Sequence, residues 1–178
     1  QADAGTSVDI NNVRVFDNDV GSETDNLADN FDNSNSGGTV TLNKLRSGDS
    51  VALTSENLAP DNANTALDAS LFDVAQADLN VEDAGTSNSD SLTVNMNNNN
   101  EVLNDQGPDT TETFHVTTMN VPNVETVSFN STGSLGKNQV DTLNAGAATT
   151  LTVTGDQDLE LGTASLDKAA TVDANGFT

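Results

Sequence analysis

The chain has 178 residues, of which 28 are acidic and five are basic, so its formal net charge at pH 7 is −23. Because nucleic acids and anionic membrane surfaces are bound by clusters of Lys and Arg, this charge excludes both as partners. The absence of Cys excludes disulfides and thiolate metal sites, and no apolar run has the length that membrane insertion requires.

The apolar residues indicate an all-β fold. They make up 34% of the chain, with six Phe and no Trp or Tyr, so a core must be built from Val, Leu, Ala and Thr methyl groups, which suit thin β layers. Several segments alternate apolar and polar residues, as in Leu92, Val94 and Met96, which indicates half-buried strands. The predicted strands are Val8–Ile10, Val13–Phe16, Thr39–Leu45, Ser50–Thr54, Leu79–Val81, Ser91–Met96, Thr113–Met119, Glu125–Phe129, Val140–Asn144, Thr150–Thr154, Leu159–Leu161 and Ala170–Asp173.

One segment between the predicted strands Ser50–Thr54 and Leu79–Val81 favours a helix. Leu67, Leu71 and Val74 recur at helical spacing, and Asn64 or Thr65 is a suitable N-cap. We therefore predict a short amphipathic helix over Asn64–Ala77, with a strand through Leu71–Val74 as the alternative.

Gly107-Pro108 marks a predicted boundary between two parts of the chain. Residues 1–107 are predicted to be an irregular, acidic β-rich segment with calcium-type loops and the one short helix. Residues 108–178 contain short strands that recur every 8 to 12 residues and end in Gly or Asn. Hairpin turns of the Asn-Gly type are nearly absent, which favours a parallel β-helix, or β-solenoid, over a sandwich.

The predicted solenoid has a defined interior. The side chains expected to point inward are those of Val127, Phe129, Leu143, Leu151, Val153, Leu159, Leu161 and Val172.

Carboxylates in alternate positions point to calcium. Ca²⁺ takes six to eight oxygen ligands, and side chains two residues apart can converge on one ion, most easily where a Gly permits a sharp turn. The best match surrounds Gly21, for which a solvated acidic loop is the alternative. Asp156 and Asp158 again stand in alternate positions, and Asp173 is a weaker copy; for these three, backbone capping by the Asp side chain is the alternative. The candidate ligands are Asp17, Asp19, Glu23, Asp25, Asp29, Asp32, Asp156, Asp158 and Asp173.

Catalytic chemistry finds little support in the sequence. His115 is the single histidine and lies in an alternating strand, where a surface role is more common than catalysis. Paired carboxylates are numerous, but the aromatic platforms of carbohydrate-cleaving clefts are absent, as are phosphate-binding loops and nucleophile elbows. We therefore predict no catalytic residues and no enzyme activity.

Three sequence segments in the second part of the chain resemble a known family. The segments Asn123–Val127, Thr149–Asp156 and Ala170–Thr178 are similar to the repeats of bacterial surface-layer proteins of the Caulobacter type, which are related to repeats-in-toxin proteins. The resemblance covers residues 90–178 and is poor before them. It implies a right-handed parallel β-helix, several calcium ions that fold the chain and join subunits, and a two-dimensional extracellular array.

The chain departs from that family in one respect. Gly37–Leu42 begins like the glycine-rich nonapeptide repeat that binds calcium in repeats-in-toxin proteins, but it lacks the third Gly and the Asp. Calcium is therefore expected in irregular turns and not in a tandem roll.

Three functional hypotheses follow. The first is a structural segment of a longer, secreted chain that self-assembles with copies of itself in a calcium-dependent surface layer, with regions outside this segment contacting cell-surface polysaccharide. The second is a calcium-stabilised adhesin or binding module on the cell surface. The third attributes the acidity to halophilic adaptation, in which salt screens the charge in place of bound ions.

Overall fold

The described part of the chain consists of strands and their connections. The computed structural model describes residues 7–11, 38–56, 74–82, 84–86, 89–99, 103–104, 107–108, 113–134, 136–166 and 170–177, and these residues contain no helix. Accordingly, none of them contributes a long apolar helix of the kind that crosses a membrane. The strands are β1 (Ser7–Asn11), β2 (Gly38–Leu45), β3 (Asp49–Glu56), β4 (Val74–Val81), β5 (Ser91–Asn99), β6 (Leu103–Asn104), β7 (Gly107–Pro108), β8 (Thr113–Asn120), β9 (Thr126–Gly133), β10 (Lys137–Asn144), β11 (Thr150–Gly155), β12 (Leu159–Ser165) and β13 (Thr171–Phe177).

The strands form two parallel sheets. The six-stranded sheet has the order β1-β3-β5-β9-β11-β13, and the five-stranded sheet has the order β12-β10-β8-β4-β2. Apart from the short β6–β7 pair, which is antiparallel, every pairing among the described strands is parallel. Outside that pair, consecutive strands alternate between the two sheets, as the absence of hairpin turns predicted.

The register places like residues in rows across each sheet. In the six-stranded sheet, Val51 pairs with Val94 and Val94 with Phe129, which in turn pairs with Val153. All of these except Val153 are fully buried. Because side chains alternate along a strand, an apolar row of this kind forms the inner face of the sheet.

The core matches the predicted interior except at its C-terminal edge. Val127, Phe129, Leu143 and Leu151 are buried, and Val153, Leu159 and Leu161 are partly buried. The prediction was wrong for Val172, which is 60% exposed. Among the described strands β13 pairs only with β11, so the edge position of Val172 leaves one flank uncovered.

The five-stranded sheet bends at the same place in several strands. In β4, β8 and β10 two consecutive residues point outward between buried ones, as in the sequence Val116-Thr117-Thr118-Met119. In β12 the position that corresponds to Thr117 is Gly162, where an added Cβ would meet the carbonyl oxygen of Asp141. The interruption of the alternation is therefore repeated from strand to strand, and at Gly162 it coincides with a close approach of the neighbouring backbone.

Every predicted strand that falls in the described residues is present, whereas the helix prediction was wrong where it is described. Val74–Ala77, predicted as the end of a helix, form the start of β4, while residues 64–73 and the predicted strand Val13–Phe16 lie outside the described residues. The alternative strand through Leu71–Val74 lies in the described part only at Val74, the first residue of β4.

Each of the two parallel sheets contains strands that precede residues 107 and 108 and strands that follow them. Strand β4 pairs with β8, and β5 pairs with β9, so strands from both sides of Gly107-Pro108 are neighbours in the same sheets. The parallel arrangement expected for residues 108–178 therefore also includes strands from the first part of the chain.

Candidate functional site

The six predicted ligands in the first acidic loop cannot be placed. Asp17, Asp19, Glu23, Asp25, Asp29 and Asp32 all fall within residues 12–37, outside the described residues. Their role in calcium binding remains a sequence-based prediction.

The second predicted site, Asp156 with Asp158, is a turn between β11 and β12. Both residues are exposed. The backbone of the turn is held to the end of β9, since the N–H groups of Asp156 and Gln157 donate to the carbonyl oxygen of Ser131 at 3.1 and 3.2 Å. The carbonyl oxygen of Asp158 in turn accepts a hydrogen bond from the N–H of Asn138 at 2.9 Å. Backbone bonds therefore shape this turn and leave both carboxylates at the surface.

A buried polar cluster lies next to that turn, and sequence reasoning missed it. Asn98, Ser131 and Asn138 are fully buried. The Asn138 Nδ2 group donates to the Ser131 Oγ atom at 2.8 Å and to the Thr132 carbonyl oxygen at 3.1 Å. The Asn138 Oδ1 atom, by contrast, has no hydrogen-bond partner among the described protein atoms. A buried amide oxygen of this kind suits a cation or an ordered water as its partner.

Asp173 caps its own backbone. Its Oδ1 atom accepts a hydrogen bond from the N–H of Asn175 at 3.0 Å, and both residues are exposed. This is the Asx geometry that a turn favours without any metal. Across the described ranges, no group of three or more His, Asp or Glu side chains is arranged to hold an ion.

The outer face of the five-stranded sheet carries an ordered row of polar side chains. Asp78 Oδ1 accepts a hydrogen bond from Asn120 Nδ2 at 2.6 Å, and Asn120 Oδ1 accepts one from Asn144 Nδ2 at 2.8 Å. The three residues occupy equivalent positions on β4, β8 and β10. The hydrogen bond from Asn120, followed by that from Gln76, lowers the pKa of Asp78 from its usual value of 3.8. The row therefore binds neighbouring strands through one ionised carboxylate and two amides.

His115 lies on the same face and contacts a second carboxylate. Its Nε2 atom is 2.8 Å from Asp141 Oδ2, and Gln139 Nε2 donates to Asp141 Oδ1 at 2.8 Å. The bond from Gln139 and then that from His115 lower the pKa of Asp141. Lys137 and Glu160 form an ion pair on the neighbouring strands. This set links β8, β10 and β12 by contacts between side chains.

The lowered carboxylate pKa values predict a specific loss of stability in acid. A carboxylate whose pKa is lower in the folded state stabilises the fold above its unfolded value of 3.8, and this contribution is lost as the pH falls through the folded pKa. We expect Asp78→Asn to lower the free energy of unfolding at pH 7 by about 0.5–1 kcal/mol, a small value because Asp78 is only partly buried. The difference between wild type and variant should be smaller at pH 3 than at pH 7, because it is lost progressively as the pH falls from 3.8 through the lowered folded pKa.

Urea unfolding at the two pH values in the presence of chelator measures this difference directly. Asp156→Asn is the matched control, because the exposed Asp156 side chain is expected to change stability by less than about 0.5 kcal/mol at either pH. A wild-type advantage over Asp78→Asn that persists unchanged at pH 3 would contradict the assignment.

Comparison with protein-family models, with curated proteins and with solved structures finds no match to this chain. Functional conclusions therefore depend on its own sequence and geometry.

Proposed function

We propose that this chain is a structural, non-enzymatic segment of a calcium-dependent extracellular surface layer that assembles with copies of itself. The observation that carries the proposal is a regular stack of parallel strands in a chain of net charge −23. The stack supplies a repetitive scaffold, and the charge would make its stability depend on cations.

The strand connections support a β-solenoid. Parallel strands in one sheet require a crossover, and here each crossover includes one strand of the other sheet. From β8 onward the connections are short: Val121–Glu125 and Ala145–Thr149 are five residues each, and Asp156–Asp158 is three. One strand from each sheet together with two such turns would form one coil, and successive coils would place like residues above like.

Several calcium ions acting together would stabilise such a stack. An exposed extracellular site commonly has a Kd of about 10⁻⁴–10⁻³ M, so at millimolar calcium one site contributes on the order of 1 kcal/mol. The first loop, Asp17–Asp32, is the leading candidate on its sequence. The turn with Asp156 and Asp158 is the second candidate, because both of its carboxylates are exposed.

The proposal predicts that chelation releases the assembly and loosens the fold. Removal of calcium leaves 23 net negative charges to repel one another. We expect chelator to disperse assembled material and to lower the melting temperature, and we expect added calcium, but not magnesium, to restore both. Light scattering or negative-stain imaging measures the assembly, and circular dichroism measures the melting temperature.

An experiment in monovalent salt distinguishes calcium coordination from screening of the net charge. If molar sodium chloride with chelator preserves fold and assembly, screening is sufficient and the halophilic hypothesis is correct. Asp17→Asn with Asp19→Asn, and separately Asp156→Asn with Asp158→Asn, should each raise the calcium concentration required at half-assembly. An unchanged requirement removes that loop from the set of ligands. Dispersed monomers that bind a glycan in calcium would instead support the adhesin hypothesis.

A further inference from the structure

On four consecutive strands of the six-stranded sheet, the outward side chains that the structure describes carry no charge; the side chain of Glu56, the last residue of β3, lies outside them. We call this surface the uncharged face and define it by the outward positions of β3, β5, β9 and β11. All of these side chains are half-buried. They are Ser50, Ala52, Thr54, Ser91, Thr93, Asn95, Asn97, Thr126, Ser128, Asn130, Thr132, Thr150, Thr152 and Thr154.

This lack of charge is unusual in a chain with 28 acidic residues. The outer surface of the other sheet carries Asp78, Asp141 and the Lys137–Glu160 pair. Two copies that met through carboxylate-bearing surfaces would place like charges opposite one another, which opposes association. Contact through the uncharged face reduces this repulsion, although the flanking strands β1 and β13 place Asp9 beside Ala52 and Asp173 beside Thr152.

The side chains of the uncharged face are already ordered. Asn95 Nδ2 donates to Ser50 Oγ at 2.6 Å, and Asn130 Nδ2 donates to Asn95 Oδ1 at 3.1 Å. Thr154 Oγ1 donates to the Phe129 carbonyl oxygen at 3.2 Å. Because these rotamers are held before any partner arrives, less conformational entropy is lost on binding.

The same side chains make the face complementary to itself. Hydroxyl and amide groups both donate and accept hydrogen bonds, so one such face can satisfy another directly or through bridging water. A self-complementary patch is what a two-fold symmetric contact between identical chains requires.

The size of the face suits one contact of a larger assembly. With strands about 4.8 Å apart and about 3.3 Å per residue, the four strands cover roughly 400 Å² in plan. A standard stable interface buries about 800 Å² per partner. Such a contact is weak alone and becomes effective when each copy makes several contacts at once.

We propose that a second copy of this chain docks on the uncharged face, an inference that builds on the proposed self-assembly. A carbohydrate occupant is disfavoured, because sugar-binding surfaces usually present aromatic rings, the chain has no Trp or Tyr, and Phe114 and Phe129 are buried.

Lysine substitutions test the face. Thr93→Lys and Thr152→Lys each place a charge on it, and Thr142→Lys places the same charge at an equally half-buried, outward position of the five-stranded sheet. Lysine makes the net charge less negative, so a general effect of charge would favour association in all three. We expect each of the first two variants to raise the protein concentration at half-association by at least about tenfold in calcium, and the control to change it by less than about threefold.

Sedimentation velocity over a concentration series measures association, and far-UV circular dichroism verifies that each variant is folded. Wild-type association in both face variants overturns the inference and leaves the proposed function intact. A wild-type chain that stays monomeric in calcium overturns both. If the face variants associate normally but lose binding to an insoluble polysaccharide, the occupant is carbohydrate and the inference is wrong.

Discussion

Replacement of Phe129 by Ala is expected to lower the free energy of unfolding by about 3–5 kcal/mol. Phe129 is fully buried and lies in the inner row between Val94 and Val153. These neighbours are short and branched, and their backbones are fixed by pairing on both sides, so they are poorly able to fill the space that the ring leaves. Urea unfolding monitored by far-UV circular dichroism should show a lower midpoint with an unchanged slope.

Val172→Ala is the control for this prediction. Val172 belongs to the same sheet but is 60% exposed, so its truncation is expected to change stability by less than about 0.5 kcal/mol. Equal losses for the two variants would show that Phe129 does not occupy the interior as described.

Replacement of Gly155 by Ala is expected to cost about 3 kcal/mol or more. Gly155 ends β11 with a φ of +119°, and a Cβ built there would overlap the carbonyl oxygen of Ser131 on the neighbouring strand. That oxygen also accepts the hydrogen bonds from Asp156 and Gln157 that hold the following turn. Relief of the overlap would therefore disturb both the pairing of β9 with β11 and the turn.

Gly48→Ala is the control that measures the cost of the backbone conformation without the cost of the overlap. Gly48 has a φ of +90°, but an added Cβ would meet no atom within 4 Å. Its replacement should therefore cost only about 1–2 kcal/mol, the penalty of a left-handed conformation for Ala. Thermal unfolding of both variants under one condition provides the comparison, and a Gly155→Ala loss no larger than that of Gly48→Ala would contradict the close approach of the two strands.

Alternation of apolar and polar residues was sufficient to find most of the strands. Leu92, Val94 and Met96 alternate with polar residues in β5, and all three are buried. The same reasoning failed at the start of β4, where Val74 and Ala77 are both buried and two outward residues separate them. A bend in a strand thus places buried residues three apart, which is also the spacing on one face of a helix.

The parallel direction of the strands could also be predicted from the sequence, because antiparallel neighbours are usually joined by tight hairpin turns and this chain has almost none. The exposure of Val172 could not be predicted from the sequence. Apolar and polar residues alternate around it as they do around Leu151, with which it pairs and which is buried. The difference arises from the position of β13 at the edge of its sheet, and a local pattern contains no information about how many neighbours a strand has.

The sequence by itself determined the β-rich class and the positions of most strands, while the dependence on counter-ions inferred from the charge of −23 stays a prediction. These properties follow from local alternation and from composition. Only the tertiary structure brought together Asn98, Ser131 and Asn138, and only it aligned uncharged side chains from four strands into one face. Both features depend on the register between strands that are distant in the sequence, and register is decided when the apolar rows of successive strands pack against one another.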